Sequence, residues 1–293
     1  MNEHKVLNAL INLIDDPDRE VFDTVSSQII NYGKSVIPKL ESVWENTTDK
    51  IIQERIENII HKVHFNNTLA EMRMWYSSQK PILLNGLFIV AGYRYQQLSE
   101  DSVRKTIKNI YQSCWLELNN YLTPLEQVNI INSIFYSMYK FKGFDLEDHK
   151  PSHFYINDVI ESRTGNPYSL GLLYQVICEM LDIPVYMIHL PRQTLLAYFD
   201  TVHDYLKIRI ETKRKIQFYI DPINGFIYTQ NDVDAYLKKY NFETDENTYS
   251  PLSNKELITH YLQAMYYTYK ELKQVDYAQE IKLLYSLRDE YLD

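Results

Sequence analysis

Residues 163–175 read RTGNPYSLGLLYQ, and this stretch decides how the centre of the chain folds. A glycine, a proline and a serine stand in front of an apolar helix, which is a common way of presenting a nucleophile at a helix N-terminus. Ser169 is therefore either a catalytic residue or a member of the first helical turn. Apolar residues continue on nearly all sides over 168–182, which predicts a central, buried helix.

Four strands are predicted after this helix, at 184–190, 194–200, 205–210 and 215–221, from their β-branched and aromatic residues. The segments KIRI and KIQFYI alternate polar with apolar residues, as strands with one face in water do. The turns HDY and TKRK between the strands are short, which favours antiparallel hairpins. A buried helix against an antiparallel sheet is an α+β arrangement.

The remainder of the chain is predicted to be helical, so the fold class is α+β but mostly helical. Apolar residues at helical spacing indicate four short helices before residue 64. A further helix, capped by Asn67 or Thr68, is expected to run through Trp75. Thr123 and Glu126 match a capping box for a helix that extends to about Phe141.

The acidic, polar segment 243–251 is interpreted as a linker, and two helices are predicted from Asn254 onward. The predicted domains are therefore 1–64, which is helical, 65–242, which holds the α+β core, and 243–293. Because one helix pair cannot bury its own apolar face, the last pair is expected to pack on the rest of the protein.

The composition excludes several classes of function. The net charge of −9 argues against a general nucleic-acid binder, because phosphate contacts require a basic surface. Cys114 and Cys178 lie in helical patterns and are predicted to be buried, reduced thiols. The N-terminus lacks a signal-peptide pattern, and the apolar run 81–92 is too short to cross a bilayer. We therefore expect a soluble, cytoplasmic protein that needs no cofactor and binds no membrane.

Several motifs follow one another in a characteristic order. They are 157-NDVIESRTGNPYSLGLLYQVICEMLDIPVYMIHLPRQTLLAYF-199 and 219-YIDPING-225, with 124-PLEQVNIINSIFYSMYKFKGF-144 upstream. Together they resemble the SirB-type branch of the transglutaminase-like superfamily, over roughly residues 65–290. The resemblance implies a papain-like core, in which a central helix packs on an antiparallel sheet. Segment 1–64 is similar to HEAT-type repeats, and the last helix pair resembles a tetratricopeptide-like unit.

In catalytic members of that superfamily, a Cys opens the central helix, a His comes from the next strand and an Asp from the strand after it. The resemblance places these positions on Pro167, Gln193 and Asp221. Only the orienting acid is therefore kept. Asp221 also suits a plain turn, because Asp before Pro, followed by Asn-Gly, is common turn chemistry.

Ser169 is the alternative nucleophile, two residues beyond the position of the Cys. Its hydroxyl needs a general base, and Gln193 cannot accept a proton at neutral pH. His189 is the nearest histidine in sequence but is predicted to lie on the strand, away from the turn. The first-turn interpretation therefore fits Ser169 better, because Ser often satisfies free backbone N–H groups at helix starts.

The polar residues of these motifs are candidates for a site that hydrogen-bonds a peptide or small ligand. Arg163 is expected to pair with Asp158 or Glu161, with contact to an anion as the alternative. The candidate ligand-binding residues are Arg163, Asn166, Ser169, Gln193 and Asp221.

Two histidine pairs have spacings that would suit a metal. His61 and His64 are three residues apart on a predicted helix, and His149 and His153 flank Pro151 in an acidic loop. A third ligand is not evident for the first pair. We interpret the first pair as a solvated helix end and the second as a polar surface loop, and expect no metal site.

The leading hypothesis is a non-catalytic transglutaminase-like protein that acts by binding a protein or peptide partner. It follows from the replacement of two of the three catalytic positions and from the helical elements at both ends. One alternative is a hydrolase or acyl transferase that uses Ser169. Another is a peptide- or small-ligand-binding module at the remaining cleft, and the sequence leaves the oligomeric state open.

Overall fold

The computed structural model describes residues 3–200, 216–243 and 246–291. They fall into two compact units, one of Met1–Met74 with Gly92–Gln96 and one of Trp75–Ala91 with Gln97–Asp293. The helices that build the first unit are α1 (Glu3–Ile11), α2 (Arg19–Ile30), α3 (Ile37–Asn46) and the greater part of α4 (Lys50–Ser77).

The first unit has an apolar core of its own, formed by the inward faces of α1 to α4. Asp18 caps α2, because its carboxylate accepts a hydrogen bond from the Glu20 amide at 2.8 Å. Arg55 on α4 donates to the carbonyl oxygens of Ile14 and Asp16, at 2.6 and 2.8 Å. These bonds hold the turn between α1 and α2 against α4.

Helix α4 is longer than the sequence pattern predicts. Asn67 and Thr68 are not caps, because the helix continues from Lys50 to Ser77 and Thr68 donates to the carbonyl of His64 within it. The predicted boundary after residue 64 thus falls inside this helix. The segment 51–80 contains no glycine or proline, so nothing in it interrupts the backbone hydrogen bonds.

The second unit combines further helices with a small sheet. Its helices are α5 (Leu83–Arg94, whose last residues belong to the first unit), α6 (Glu100–Glu117), α7 (Pro124–Asn132), α8 (Ile156–Ser162), α9 (Pro167–Met180), α10 (Gln230–Lys239), α11 (Asn254–Glu271) and α12 (Val275–Ser286). Its strands are β1 (Lys142–Gly143), β2 (Thr164–Gly165), β3 (Val185–Leu190), β4 (Gln193–Phe199), β5 (Ile216–Ile220) and β6 (Ile227–Tyr228). The mostly helical α+β class is therefore confirmed.

The main sheet is antiparallel in the order β3-β4-β5-β6. Helix α9, buried from Tyr168 to Cys178, contacts β3 and β4, as predicted for a central helix. The predicted strand 205–210 and the turns HDY and TKRK lie outside the described residues.

The prediction of one face in water holds in β5 for Gln217, which is exposed, but not for Tyr219 on the same face, which is buried. Tyr219 lies in the apolar cluster that includes Val233 and Leu237 of α10. This short amphipathic helix therefore covers the Tyr219 end of the face that the alternating pattern assigned to solvent.

Helix α7 begins as predicted, with reciprocal hydrogen bonds between Thr123 and Glu126. It does not stay α-helical to Phe141, because residues Ser133–Met138 form a π-helical segment. Asn132 and Tyr136, at this change of helix type, both contact the turn that follows β5.

The C-terminal helices pack on the core, as expected for a pair that cannot bury its face alone. The Tyr261 hydroxyl on α11 donates to the carbonyl of Phe154, and the hydroxyls of Tyr155 and Tyr269 lie 2.6 Å apart. Both cysteines are free and buried, in agreement with the sequence prediction. None of the helices in the described residues combines the length and apolarity needed to cross a membrane.

The turn 221–225 is held by side chains from distant parts of the chain. Asn132 donates to the carbonyl of Gly225 at 2.8 Å, and Tyr136 donates to that of Pro222 at 2.9 Å. Gly225 has a φ of +78°, and a Cβ there would lie 2.7 Å from the Tyr136 ring. Both the backbone angle and the lack of space require glycine at this position.

Gly225→Ala is expected to destabilise the second unit by about 2 to 4 kcal/mol, through backbone strain and overpacking. Gly33→Ala is the matched control, since Gly33 has a φ of +64° but no neighbour within 4 Å. The control should cost only about 1 kcal/mol, from the backbone angle alone. Urea unfolding of both variants measures the difference, and equal losses would contradict the proposed role of close packing.

Candidate functional site

One cleft of about 480 Å³ brings together the three positions that the family resemblance assigns to a catalytic triad. Pro167 comes from the first turn of α9, Gln193 from the start of β4, and Asp221 from the turn after β5. The other lining residues are Asp145, Leu146, Glu147, Tyr168, His189, Arg192, Thr194, Ile223 and Tyr236.

Pro167 is the first residue of α9, and Asn166 is its N-cap. Proline is well suited to this position, because its missing N–H would have no intrahelical partner there. The side chain that faces the cleft at the expected nucleophile position is therefore an unreactive ring.

Ser169 does not line the cleft. Its side chain is 2% exposed, and its hydroxyl donates to the carbonyl of His153 at 2.6 Å. The same oxygen accepts a hydrogen bond from the Asn166 amide at 3.0 Å, while the Asn166 side chain accepts one from the Ser169 amide at 2.9 Å. This reciprocal capping box engages the Ser169 hydroxyl at the buried start of the helix.

Gln193 follows a two-residue turn, Pro191-Arg192, that joins β3 to β4. Arg192 adopts a left-handed φ of +63°, an uncommon conformation for a side chain of this type. Tyr236 of α10 supports the turn by donating to the carbonyl of Pro191 at 3.1 Å. Within the described part of the chain, the side chains of Arg192 and Gln193 have no hydrogen-bond partner.

Asp221 is buried, and its two carboxylate oxygens have separate partners. One accepts a hydrogen bond from the Ile223 amide at 2.8 Å, and the other accepts one from the Tyr228 hydroxyl at 3.2 Å. The carboxylate thus stabilises its own turn and its contact with β6. The same side chain also lines the cleft. Asp221 is therefore both a turn residue and a residue of the candidate site.

His189 also lines the cleft, contrary to its predicted position away from the turn. Its ring stacks on that of His260 of α11, with centroids 4.7 Å apart. Burial, and then the charge of His260, lower the pKa of His189 to about 4. The imidazole is therefore neutral at neutral pH and is a weak base.

Arg163 and Asn166 lie beside the cleft and are not among its lining residues. The Arg163 guanidinium lies over the rings of Tyr139 and Phe141, 5.7 and 5.2 Å from their centroids. This cation–π arrangement replaces the expected ion pair with Asp158 or Glu161, which is absent among the described residues. The Asn166 side-chain nitrogen is buried and has no hydrogen-bond partner in the described structure.

Several lining residues were not predicted from the sequence, and they come from both neighbouring and distant segments. Tyr168 and Thr194 are direct neighbours of predicted positions and were therefore within reach of the motif analysis. Tyr236 and the segment 145–147 approach the cleft only through the packing of the chain, so local pattern gave no signal for them.

The four histidines of the two pairs are all partly or fully buried. Contrary to the prediction of a surface loop, His153 is buried and stacks on Phe144 with centroids 5.0 Å apart. Burial lowers the pKa of His153. In the described ranges, no group of three or more His, Cys, Asp or Glu side chains is placed to hold a metal ion.

Comparison with known proteins gives a family match and several distant relatives. A UPF0162 protein of Pasteurella multocida is 27% identical over 128 residues, which is 44% of each chain. A UPF0162 protein of Buchnera aphidicola is 23% identical over 177 residues, 60% of this chain and 61% of the relative. F-box only protein 21 of Mus musculus is 31% identical over 71 residues, 24% of this chain and 11% of the relative.

This chain therefore spans less than two thirds of the length of each of these relatives. No solved structure matches it. The model of the transglutaminase-like superfamily matches residues 101–263, which include α9, the described sheet and every residue that lines the cleft. Since this match covers more than half of the chain, the protein belongs to the transglutaminase-like superfamily.

Proposed function

We propose that this protein is a non-catalytic member of the superfamily that binds a peptide segment of a partner in the cleft. The observation that carries the proposal is the position of Ser169, whose hydroxyl is engaged by backbone groups outside the cleft. Pro167 and Gln193 stand where the family resemblance places a nucleophile and a base. Neither side chain can perform that chemistry.

The shape and lining of the cleft support binding. Its volume of about 480 Å³ lies within the range of about 300 to 1,000 Å³ that is usual for ligand sites. Tyr168, Tyr236 and Pro167 supply apolar surface, while Gln193 offers an amide that both donates and accepts hydrogen bonds. This combination suits the alternating polar and apolar surface of a peptide.

We further infer that the chain belongs to the SirB-type branch, with a HEAT-like region at 1–64, the family domain at 65–242, and a linker with a tetratricopeptide-like pair at 243–293. The motif order RTGNP, LPRQ and DPING supports the first inference. The two free, buried thiols support a reducing, cytoplasmic location.

The purified protein should not turn over peptide or amide substrates above the buffer rate. Ser169→Ala should leave that rate unchanged but lower the free energy of unfolding by about 1 to 3 kcal/mol, because buried backbone groups lose their partner. Mass spectrometry of the products and urea unfolding measure the two effects. Turnover that Ser169→Ala or Asp221→Ala abolishes would refute the non-catalytic assignment.

Restoring the expected residues tests the assignment of positions. Pro167→Cys should give an accessible thiol at a helix N-terminus, and adding Gln193→His should raise its rate of alkylation by iodoacetamide near pH 6.5 about tenfold or more, through thiolate stabilisation. The native thiols give little background, since burial raises the pKa of Cys114 to about 12 and raises that of Cys178 as well.

Ser169→Cys is the control and should react slowly, because position 169 is buried. An alkylation rate of the Pro167→Cys protein that does not respond to Gln193→His would show that the two positions do not face each other.

The neutrality of His189 has a consequence for stability. Its pKa is lower in the folded state than the usual value near 6.5, so the unfolded chain binds more protons between about pH 6.5 and 4. The free energy of unfolding should therefore fall as the pH is lowered through this window. His189→Gln should reduce the slope, measured by urea unfolding at several pH values, and an unchanged slope would contradict the buried, neutral state.

A further inference from the structure

The charges around the cleft are unequal. Asp145, Glu147 and Asp221 contribute three carboxylates, whereas Arg192 contributes the one guanidinium among the lining residues of the described chain. His189 adds no charge at neutral pH, because its pKa lies near 4. A ligand that enters the cleft therefore meets a net negative lining.

Two of these carboxylates are available to a ligand. Asp145 and Glu147 are exposed, at the 3₁₀ turn Leu146–Asp148, and neither side chain bonds to another residue of the described chain. Asp221 differs from them, since both of its oxygens are engaged within its own turn and strand. The negative charge that remains free is thus concentrated on segment 145–147.

The lysines of the same loop form no ion pair with Asp145 or Glu147 within the described chain. The ammonium groups of Lys142 and Lys150 both lie over the Phe144 ring, 5.1 and 5.6 Å from its centroid. That ring also stacks on His153, which fixes its orientation. The two ammonium groups are therefore placed by cation–π contacts with Phe144 and not by contact with the two acids.

Hydrogen-bond donors are found on the β3–β4 turn, where the side chains of Arg192 and Gln193 line the cleft without partners. These groups suit carbonyl oxygens of a peptide main chain. Because Tyr236 of α10 donates to the carbonyl of Pro191, the backbone that carries these two donors is held in place before a ligand arrives.

We propose that the cleft binds a peptide segment that carries a lysine or arginine, with the cationic group at Asp145 and Glu147 and main-chain carbonyls at Arg192 and Gln193. This inference rests on the proposed peptide-binding function and specifies its ligand. The cationic group would be bound by exposed carboxylates, so the affinity falls as salt screens the charges.

The test uses the full chain and three pools of fluorescein-labelled, acetylated and amidated heptapeptides. The central residue is Lys, Glu or Ser, and the flanking positions are equal mixtures of Ala, Ser, Leu and Tyr. Fluorescence polarisation at low and high salt should show that the Lys pool binds about tenfold more tightly than the Glu pool, which corresponds to about 1.4 kcal/mol. High salt should reduce this ratio.

Asp145→Asn combined with Glu147→Gln should remove the preference for the Lys pool, and Asp145→Lys with Glu147→Lys should favour the Glu pool. The matched control is Glu271→Gln with Asp276→Asn, which makes the same change of charge at exposed residues outside the cleft lining. This control should keep the wild-type preference.

The outcomes separate the two proposals. If the cleft-filling variant Gln193→Trp abolishes binding but the Ser or Glu pool binds wild type at least as well as the Lys pool, the basic ligand is refuted and cleft binding stands. If no pool binds, or if Gln193→Trp leaves binding unchanged, both the peptide-binding function and the basic ligand are refuted.

Discussion

The reciprocal hydrogen bonds between Asn166 and Ser169 fix the start of the central helix, and the rest of the core is arranged around that point. Both side chains are 2% exposed, so the bonds form where water cannot replace them. Gly165 lies directly before them, and a Cβ there would be 2.6 Å from the Ser169 oxygen. The capping box therefore requires a glycine at position 165, and it engages the hydroxyl of Ser169 in hydrogen bonds. It also leaves Pro167 and Tyr168 as the residues that the helix presents to the cleft.

The far wall of the cleft depends on a second constraint, the close packing of the turn 221–225. Gly143 donates its amide to the carbonyl of Ile223 at 3.0 Å, and a Cβ on Gly143 would lie 2.5 Å from the Ile223 backbone. Asn132 and Tyr136 hold the same turn from α7 and its π-helical continuation. Two glycines thus allow this turn to approach other segments closely, and Asp221 is placed in the cleft as a result.

Several polar groups that line the cleft are engaged by other groups of the protein. The carboxylate of Asp221 bonds to a backbone amide and a tyrosine hydroxyl. The imidazole of His189 is stacked between aromatic neighbours and is kept neutral by burial. What remains free is at the mouth of the cleft, on Arg192, Gln193 and segment 145–147. These free groups offer a ligand hydrogen bonds and charge, as the proposed binding function requires.

The sequence by itself predicted the helices and strands that depend on neighbouring residues in the chain. The apolar residues of 168–182 predicted α9, the Thr123 capping box predicted the start of α7, and the strands β3, β4 and β5 followed from their residue types. The motif order, through the family resemblance, also indicated that Pro167, Gln193 and Asp221 belong to one site.

Only the tertiary structure decided which groups are buried and which are free. The sequence predicted caps at Asn67 or Thr68 and a water-exposed sheet face, because such patterns record polarity but not the neighbours that continue a helix or cover a strand. In the same way, no local pattern could reveal that His189, Tyr236 and segment 145–147 share the cleft. Their positions depend on long-range packing, which brings together residues far apart in the chain.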